Sequence, residues 1–223
     1  VVRMIGDVVN ESGVTIRQAG DRALLIEPTD RAGVAGFIDQ LRDNPVAGVS
    51  DVLPAARTVL LTLYPGVDVS VVTRRLRAAF DAISERAAQE LKDIAAVEIP
   101  VRYDGVDLAE TAALLGISER ELISRHTRAV WRCAFIGFAP GFGYLEAPDA
   151  ELTVPRREQS RTAVPAGAVA LAAGYSAVYP RSSPGGWRII GSTSATLWDL
   201  DRSEPALLRP GTRVRFTVQE ASA

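Results

Sequence analysis

From Val130 onward, glycine and proline interrupt the chain every five to ten residues, and the runs between them are rich in β-formers: GAVALAAG, SAVYP, WRIIG, ATLWDL and RVRFTVQE. Short strands at this spacing predict an all-β barrel or sandwich. This is the strongest constraint in the sequence, and the first half of the chain does not share it.

The first half has a different grammar. GVTIRQAGDRALLIEP (13–28) reads as two strands around a tight turn at Gly20-Asp21, ended by Pro28. Thr29 or Asp30 can cap a following helix. Val34, Phe37, Ile38 and Leu41 then recur at helical spacing until Asn44-Pro45, where the residue before proline avoids helical angles. VSDVLPA and RTVLLTLYP repeat the strand pair, and Val69, Val72, Leu76, Phe80 and Ile83 stripe a second helix over 68–91. Strand-strand-helix twice predicts a four-stranded antiparallel sheet with two helices on one face, an α+β domain over 1–93. The second domain then covers 94–223. It opens with a strand in AVEIPVRYDG and two short helices. Asp107 with Glu110, and Ser118 with Glu121, have the spacing of a capping box. Ala109, Ala112 and Ala113 are small enough for close packing, and Leu122, Ile123 and His126 share one helix face.

Composition removes several function classes. Of 223 residues one is histidine and one is cysteine, so a metal site built on several such ligands cannot form within one chain. The sole cysteine, Cys133, excludes an internal disulfide and fits a reducing compartment. Cys133 reads as an inert core residue of the strand WRCAF. Lys92 is the only lysine and reads as a solvated charge at a helix end. There is no phosphate-binding G-x-x-x-x-G-K-[ST] loop. A net charge of −2 argues against wholesale nucleic-acid binding. No apolar run reaches about 18 residues. A soluble, cytoplasmic protein is expected.

Two loops carry the candidate chemistry. GFAPGFGYL (137–145) and YPRSSPGGWRIIG (179–191) combine glycine, proline and aromatic residues. Glycine lets backbone approach a ligand closely, and proline stiffens the loop. Pro184-Gly185-Gly186 reads as a turn with bare N–H groups able to form an anion nest, with Ser182 and Ser183 beside it. Between Pro155 and Gly191 stand Arg156, Arg157, Arg161, Arg181 and Arg188 against the single acid Glu158. Guanidinium forks match carboxylates and phosphates, so a small acidic ligand fits. The plainer alternatives are arginines on separate solvated faces and a barrel corner filled by aromatics. His126, the only imidazole, is either a catalytic group or a satisfied core histidine.

IPVRYDG, LLGISERELISRHT, GFAPGFGYL, VPRR, VPAGAVALA, YPRSSPGGWRIIGST and LLRPGTRVRF, in that order, resemble the KipI and allophanate hydrolase subunit 1 family over essentially the whole chain. Ser160-Arg161, and Ala168 within Gly167-Ala168-Val169, depart from the family's usual residues. The resemblance implies a C-terminal cyclophilin-like β-barrel. It also implies a role within an ATP-dependent complex that opens 5-oxoproline to glutamate, as a 5-oxoprolinase component of the B type. Such a component is inactive without a C-type partner (the allophanate hydrolase subunit 2 type) and works with an A-type one. ATP would be bound with or by the partner, and magnesium is compatible with it. Other roles in the family are an allophanate or urea amidolyase-type component and a histidine kinase inhibitor. Prolyl isomerase activity rests on the barrel analogy alone. On this reading Gly141, Phe142 and Tyr144 line one side of a groove for the acid. Ser183, Gly185, Gly186 and Trp187 line the other, with His126, Arg156 and Arg181 as the catalytic or charge-supplying groups.

Overall fold

In a computed structural model the chain forms two compact units, Val1–Asp93 and Ile94–Ala223. The structure describes residues 14–28, 31–86 and 96–219.

The first unit runs β1 (Val14–Gln18), β2 (Ala23–Pro28), α1 (Arg31–Asp43), β3 (Val49–Pro54), β4 (Val59–Leu63) and α2 (Val69–Arg86). The strands pair antiparallel in the order β1-β2-β4-β3. Alternation explains the layering, because successive strand residues point to opposite faces. Leu24 and Ile26 of β2 and Val59, Leu61 and Leu63 of β4 are buried, with their neighbours less so. They share one core with Phe37, Ile38 and Leu41 of α1 and Val72, Leu76 and Phe80 of α2. Phe37 and Phe80 bring their rings to 5.4 Å. The expected four-stranded sheet with two helices is therefore present. The Thr29–Asp30 cap, the Ile83 side chain and residues 87–91 lie outside what the structure describes.

The second unit runs β5 (Val97–Val101), α3 (Leu108–Leu114), α4 (Glu119–Arg128), β6 (Trp131–Ile136), β7 (Gly143–Glu146), β8 (Arg161–Val164), β9 (Ala168–Ala172), β10 (Tyr175–Val178), β11 (Ser183–Gly185), β12 (Arg188–Ser192) and β13 (Arg213–Val218). Seven strands join in the order β12-β9-β10-β7-β6-β13-β5, while β11 pairs with β8 in a separate ribbon. Only the β13–β5 pairing within the large sheet is parallel. The two edges meet where Arg102 and Ser192 exchange both backbone hydrogen bonds at 2.8 Å, so the sheet is a nearly closed barrel. Closure of this kind removes the exposed edges an open sheet would carry. ATLWDL, expected as a strand, forms only an isolated bridge between Trp198 and Ala206.

Strands β9 and β10 are buried on both faces. Val169, Leu171 and Val178 enter the main core with Ile99, Leu122, Trp131 and Phe216. Ala168, Ala170, Ala172, Tyr175 and Ala177 enter a second cluster with Phe142, Tyr179, Trp187 and Ile189. Three alanines in a row on one face of β9 leave room for large rings opposite. Of the alanines expected to pack closely in α3, only Ala112 is buried; Ala109 and Ala113 face solvent. Gly105 is required by close approach, since a Cβ there would overlap the backbone of Ile189–Gly191. The 105–107 segment lies on β12, with Asp107 N–H donating to Ile189 O at 2.9 Å.

Candidate functional site

The two glycine-rich loops converge on one aromatic cluster. Phe142 and Trp187, 45 residues apart in sequence, meet edge to face with ring centroids 5.6 Å apart. Tyr144 lies 5.5 Å from Trp187 and 5.0 Å from Phe142, and it stacks on Phe135 at 4.2 Å. Tyr179 closes the group at 5.2 Å from Phe142. Edge-to-face pairs of this kind contribute roughly 0.5–1.5 kcal/mol each beyond area burial. Register explains the convergence. Tyr175, Ala177 and Tyr179 alternate onto one face of β10 and its extension, and that face meets the loop after β6 and the entry to β12.

Phe142 and Trp187 are packed inside this cluster rather than standing across an open groove. Phe142 is 1% exposed and Trp187 5%. Gly141 and Gly186 are also buried, while Tyr144, Ser183 and Gly185 are half-buried. The Pro184-Gly185-Gly186 segment is not the free turn expected: Ser183–Gly185 is strand β11, paired with β8. Its glycines are explained by crowding. A Cβ on Gly185 would run into the Tyr179 hydroxyl, and one on Gly186 would come within 2.9 Å of Ser160 Oγ. Gly141 has φ +80° and would meet Trp198 Cβ at 2.9 Å if it carried a side chain. Phe138, at the tip of the first loop, has φ 67°, a region that bulky residues seldom occupy. It is 59% exposed and packs on Phe142 and Tyr179.

The five arginines divide into two sets. Arg157, Arg161 and Arg188 are bound to acids. Asp107, 2% exposed, accepts from Arg157 Nη1 at 2.9 Å, from Arg161 Nη1 and Nη2 at 2.9 and 2.7 Å, and from the Ile189 N–H at 2.8 Å. Burial alone would raise the Asp107 carboxyl. The Arg161 and Ile189 hydrogen bonds and the two guanidinium charges outweigh that and hold it below the usual carboxylate range. Glu110 contacts Arg188 Nη1 at 2.9 Å and Arg157 Nη1 at 3.6 Å. Arg156 and Arg181 are exposed and have no ion pair among the described residues. Burial raises the Tyr144 and Tyr179 phenols, and the Arg156 charge opposes the rise in both, so Arg156 lies within electrostatic reach of the aromatic cluster.

Asp107 and Glu110 were not legible as parts of this site. Their spacing suggests a capping box, yet Asp107 makes no side-chain cap on α3 and spends its carboxylate on arginines 50 and 54 residues away. The Ser118 box forms in half. Ser118 Oγ accepts from Glu121 N–H at 3.1 Å, but the Glu121 carboxylate turns to Arg125 at 2.8 Å.

His126 packs among Tyr103, Trp131 and Phe216, residues of the main core or packed against it. It is fully buried, stacked 4.2 Å from Phe216, and bonded to Tyr103 Oη at 2.7 Å through Nδ1 and Ser176 Oγ at 2.9 Å through Nε2. Burial pushes its pKa down to about 3, so the ring is neutral, donating at one nitrogen and accepting at the other. Both nitrogens are used within the protein, which is the geometry of a core histidine. Cys133 is likewise buried, and burial pushes its thiol up to about 12. Among the described residues no cluster of three or more His, Cys, Asp or Glu is placed to hold a metal ion, and no helix is long and apolar enough to cross a membrane.

The family model described as "Carboxyltransferase domain, subdomain C and D" matches residues 14–208. A protein of Bacillus subtilis (strain 168), named as the B component of 5-oxoprolinase, is 32% identical over 219 residues, covering 90% of this chain and 91% of its own. The Escherichia coli O157:H7 protein of the same name is 46% identical over 127 residues, 56% of this chain; the match spans 58% of that protein's length. Among solved structures, the crystal structure of TTHA0988 superposes with a TM-score of 0.71 at 33% identity, over 91% of this chain and 40% of the other.

Proposed function

The chain belongs to the family of carboxyltransferase subdomains C and D, and on that basis we propose that it serves as the B-type component of an ATP-dependent complex that opens 5-oxoproline to glutamate. In that reaction water adds to the lactam carbonyl, the ring C–N bond breaks and the nitrogen leaves as the amine of glutamate. ATP hydrolysis drives the step.

The observation that carries this reading is the pair of guanidiniums without an ion pair among the described residues, Arg156 and Arg181, on the segments that border a cluster of aromatic rings that includes Phe142, Tyr144, Tyr179 and Trp187. A guanidinium of this kind binds the carboxylate of 5-oxoproline, and the half-buried Tyr144 and Ser183 offer hydroxyls beside it. The names of the relatives point to the same substrate. The chain holds no phosphate-binding loop, a single histidine that is buried, and no metal-holding cluster among the described residues. In this scheme ATP is bound with or by the partner, and magnesium is compatible with it. His126 takes a structural role in this scheme, and the chain alone is inactive.

The test is reconstitution with A- and C-type partners, followed by ATP turnover with 5-oxoproline and with urea or allophanate side by side. Glutamate formed with 5-oxoproline only when all components are present supports the reading. Turnover by the isolated chain, or turnover with urea or allophanate in place of 5-oxoproline, overturns it.

A further inference from the structure

Residues 155–161 have little regular structure of their own before β8, yet they are anchored at several points. Pro155 O accepts from Arg188 Nε at 3.0 Å. Arg157 N–H donates to Gly186 O at 2.8 Å. These two anchors sit on either side of Trp187 in the facing segment, so Arg156 is held beside the aromatic cluster. At both Arg157 and Arg161 the side chain then reaches back to one buried carboxylate, Asp107. Asp107 is itself fixed, because its own N–H and the N–H of Ile189 tie it to β12 from both directions. Arg156 is thus the arginine between Pro155 and Arg161 whose guanidinium is not spent on an internal acid, and its neighbour on each side is bound.

We infer that Asp107 is a positioning residue: by binding Arg157 and Arg161 it holds the 155–161 segment so that the Arg156 guanidinium stands free beside the Trp187 cluster, where it receives the carboxylate of a small acid. The ligand part of this inference rests on the function proposed above, whereas the pinning of the segment does not. A buried carboxylate with a bidentate guanidinium and a backbone donor has a fixed geometry. Losing its charge leaves Arg161 without its counter-ion and Arg157 with only the 3.6 Å contact to Glu110, and it loosens the segment between them. Asp107 touches neither the ligand nor the reacting atoms, so its effect has to pass through Arg156.

Two measurements test this on the full chain. In the first, limited trypsin digestion is read by mass spectrometry, with cleavage after Arg202 as the internal control. Asp107→Asn accelerates cleavage after Arg156, Arg157 and Arg161 by about ten-fold, because proteolysis follows the population of the released segment. In the second, the reconstituted complex is assayed with 5-oxoproline. Asp107→Asn raises KM by about ten-fold and leaves kcat within about two-fold, the pattern of lost ligand binding. In an Arg156→Ala background the same substitution adds nothing to KM, since the two act through one contact. Arg161→Gln, which leaves Asp107 paired with Arg157 and Ile189, shifts both readouts in the same direction by less, and it carries the test if Asp107→Asn does not fold. Unchanged trypsin rates in both variants overturn the pinning. A KM effect of Asp107→Asn as large with Arg156 removed as with it present overturns the route through Arg156. A wild-type complex that does not turn over 5-oxoproline overturns the ligand part, and the trypsin comparison still decides the pinning.

Discussion

The chain has one histidine, and it is fully buried, so its contribution to stability can be isolated by pH. His126 is held neutral with a pKa of about 3 by burial, against an ordinary value of 6.5. The unfolded chain takes up a proton below 6.5 that the folded chain refuses. Stability therefore falls as the pH drops from 6.5 toward 3, and above about pH 7 the two states are equally neutral. At pH 4.5 the gap is two pH units below the unfolded value, and at 1.36 kcal/mol per unit the loss is about 3 kcal/mol. His126→Gln removes this term, although it costs packing against Phe216 at every pH. The assay is urea unfolding followed by tryptophan fluorescence at pH 7.5 and 4.5. All three tryptophans, Trp131, Trp187 and Trp198, lie in the second unit, so the signal reports that unit alone. Carboxylates that titrate in this range are common to both proteins and cancel in the comparison. The wild type loses about 3 kcal/mol more than the variant between the two pH values. Equal losses would refute the assignment of His126 as a neutral core residue.

Arg156→Ala in the reconstituted complex raises KM for 5-oxoproline by roughly ten-fold or more, the loss of one charge-assisted hydrogen bond, with the melting temperature unchanged. Steady-state kinetics beside a thermal melt read both quantities. Gly105→Ala forces a methyl group into the backbone of β12 and destabilises the second unit by about 3 kcal/mol, measured by the same urea titration. Cys133 stays unreactive toward a disulfide reagent at pH 8 in the folded protein and titrates as one thiol per chain once urea is added, because burial keeps the thiolate from forming. Fast labelling of the folded protein would contradict the buried placement.

Local periodicity was enough for the first unit. Strand alternation in β2 and β4, the helical stripe of Phe37, Ile38 and Leu41, and the stop at Asn44-Pro45 each depend on neighbours within a few residues, and each appears where expected. The glycine and proline punctuation after Val130 likewise announced short strands in a barrel or a sandwich, and the Arg102–Ser192 bridge makes it a nearly closed barrel. ATLWDL misled because its β-formers lie outside the ladder, so the local preference had no partner strand to satisfy it.

Composition and short spacing were sufficient for the fold class, the two loops of glycine and aromatic residues, the surplus of arginine between 155 and 191, and the family resemblance. Which arginines remain free depends instead on contacts between distant parts of the chain. Asp107 and Glu110 look like helix-start residues until folding brings Arg157, Arg161 and Arg188 to them, and a carboxylate binds a guanidinium according to distance and burial, not separation along the chain. The same holds for His126. Its neutrality follows from a stacked Phe216 and from Tyr103 and Ser176 on either side of its ring, and those neighbours come from three separate strands or their extensions. Long-range contacts set the local dielectric and the pairing of charge, and these decide whether an ionisable side chain is a tool or a filler.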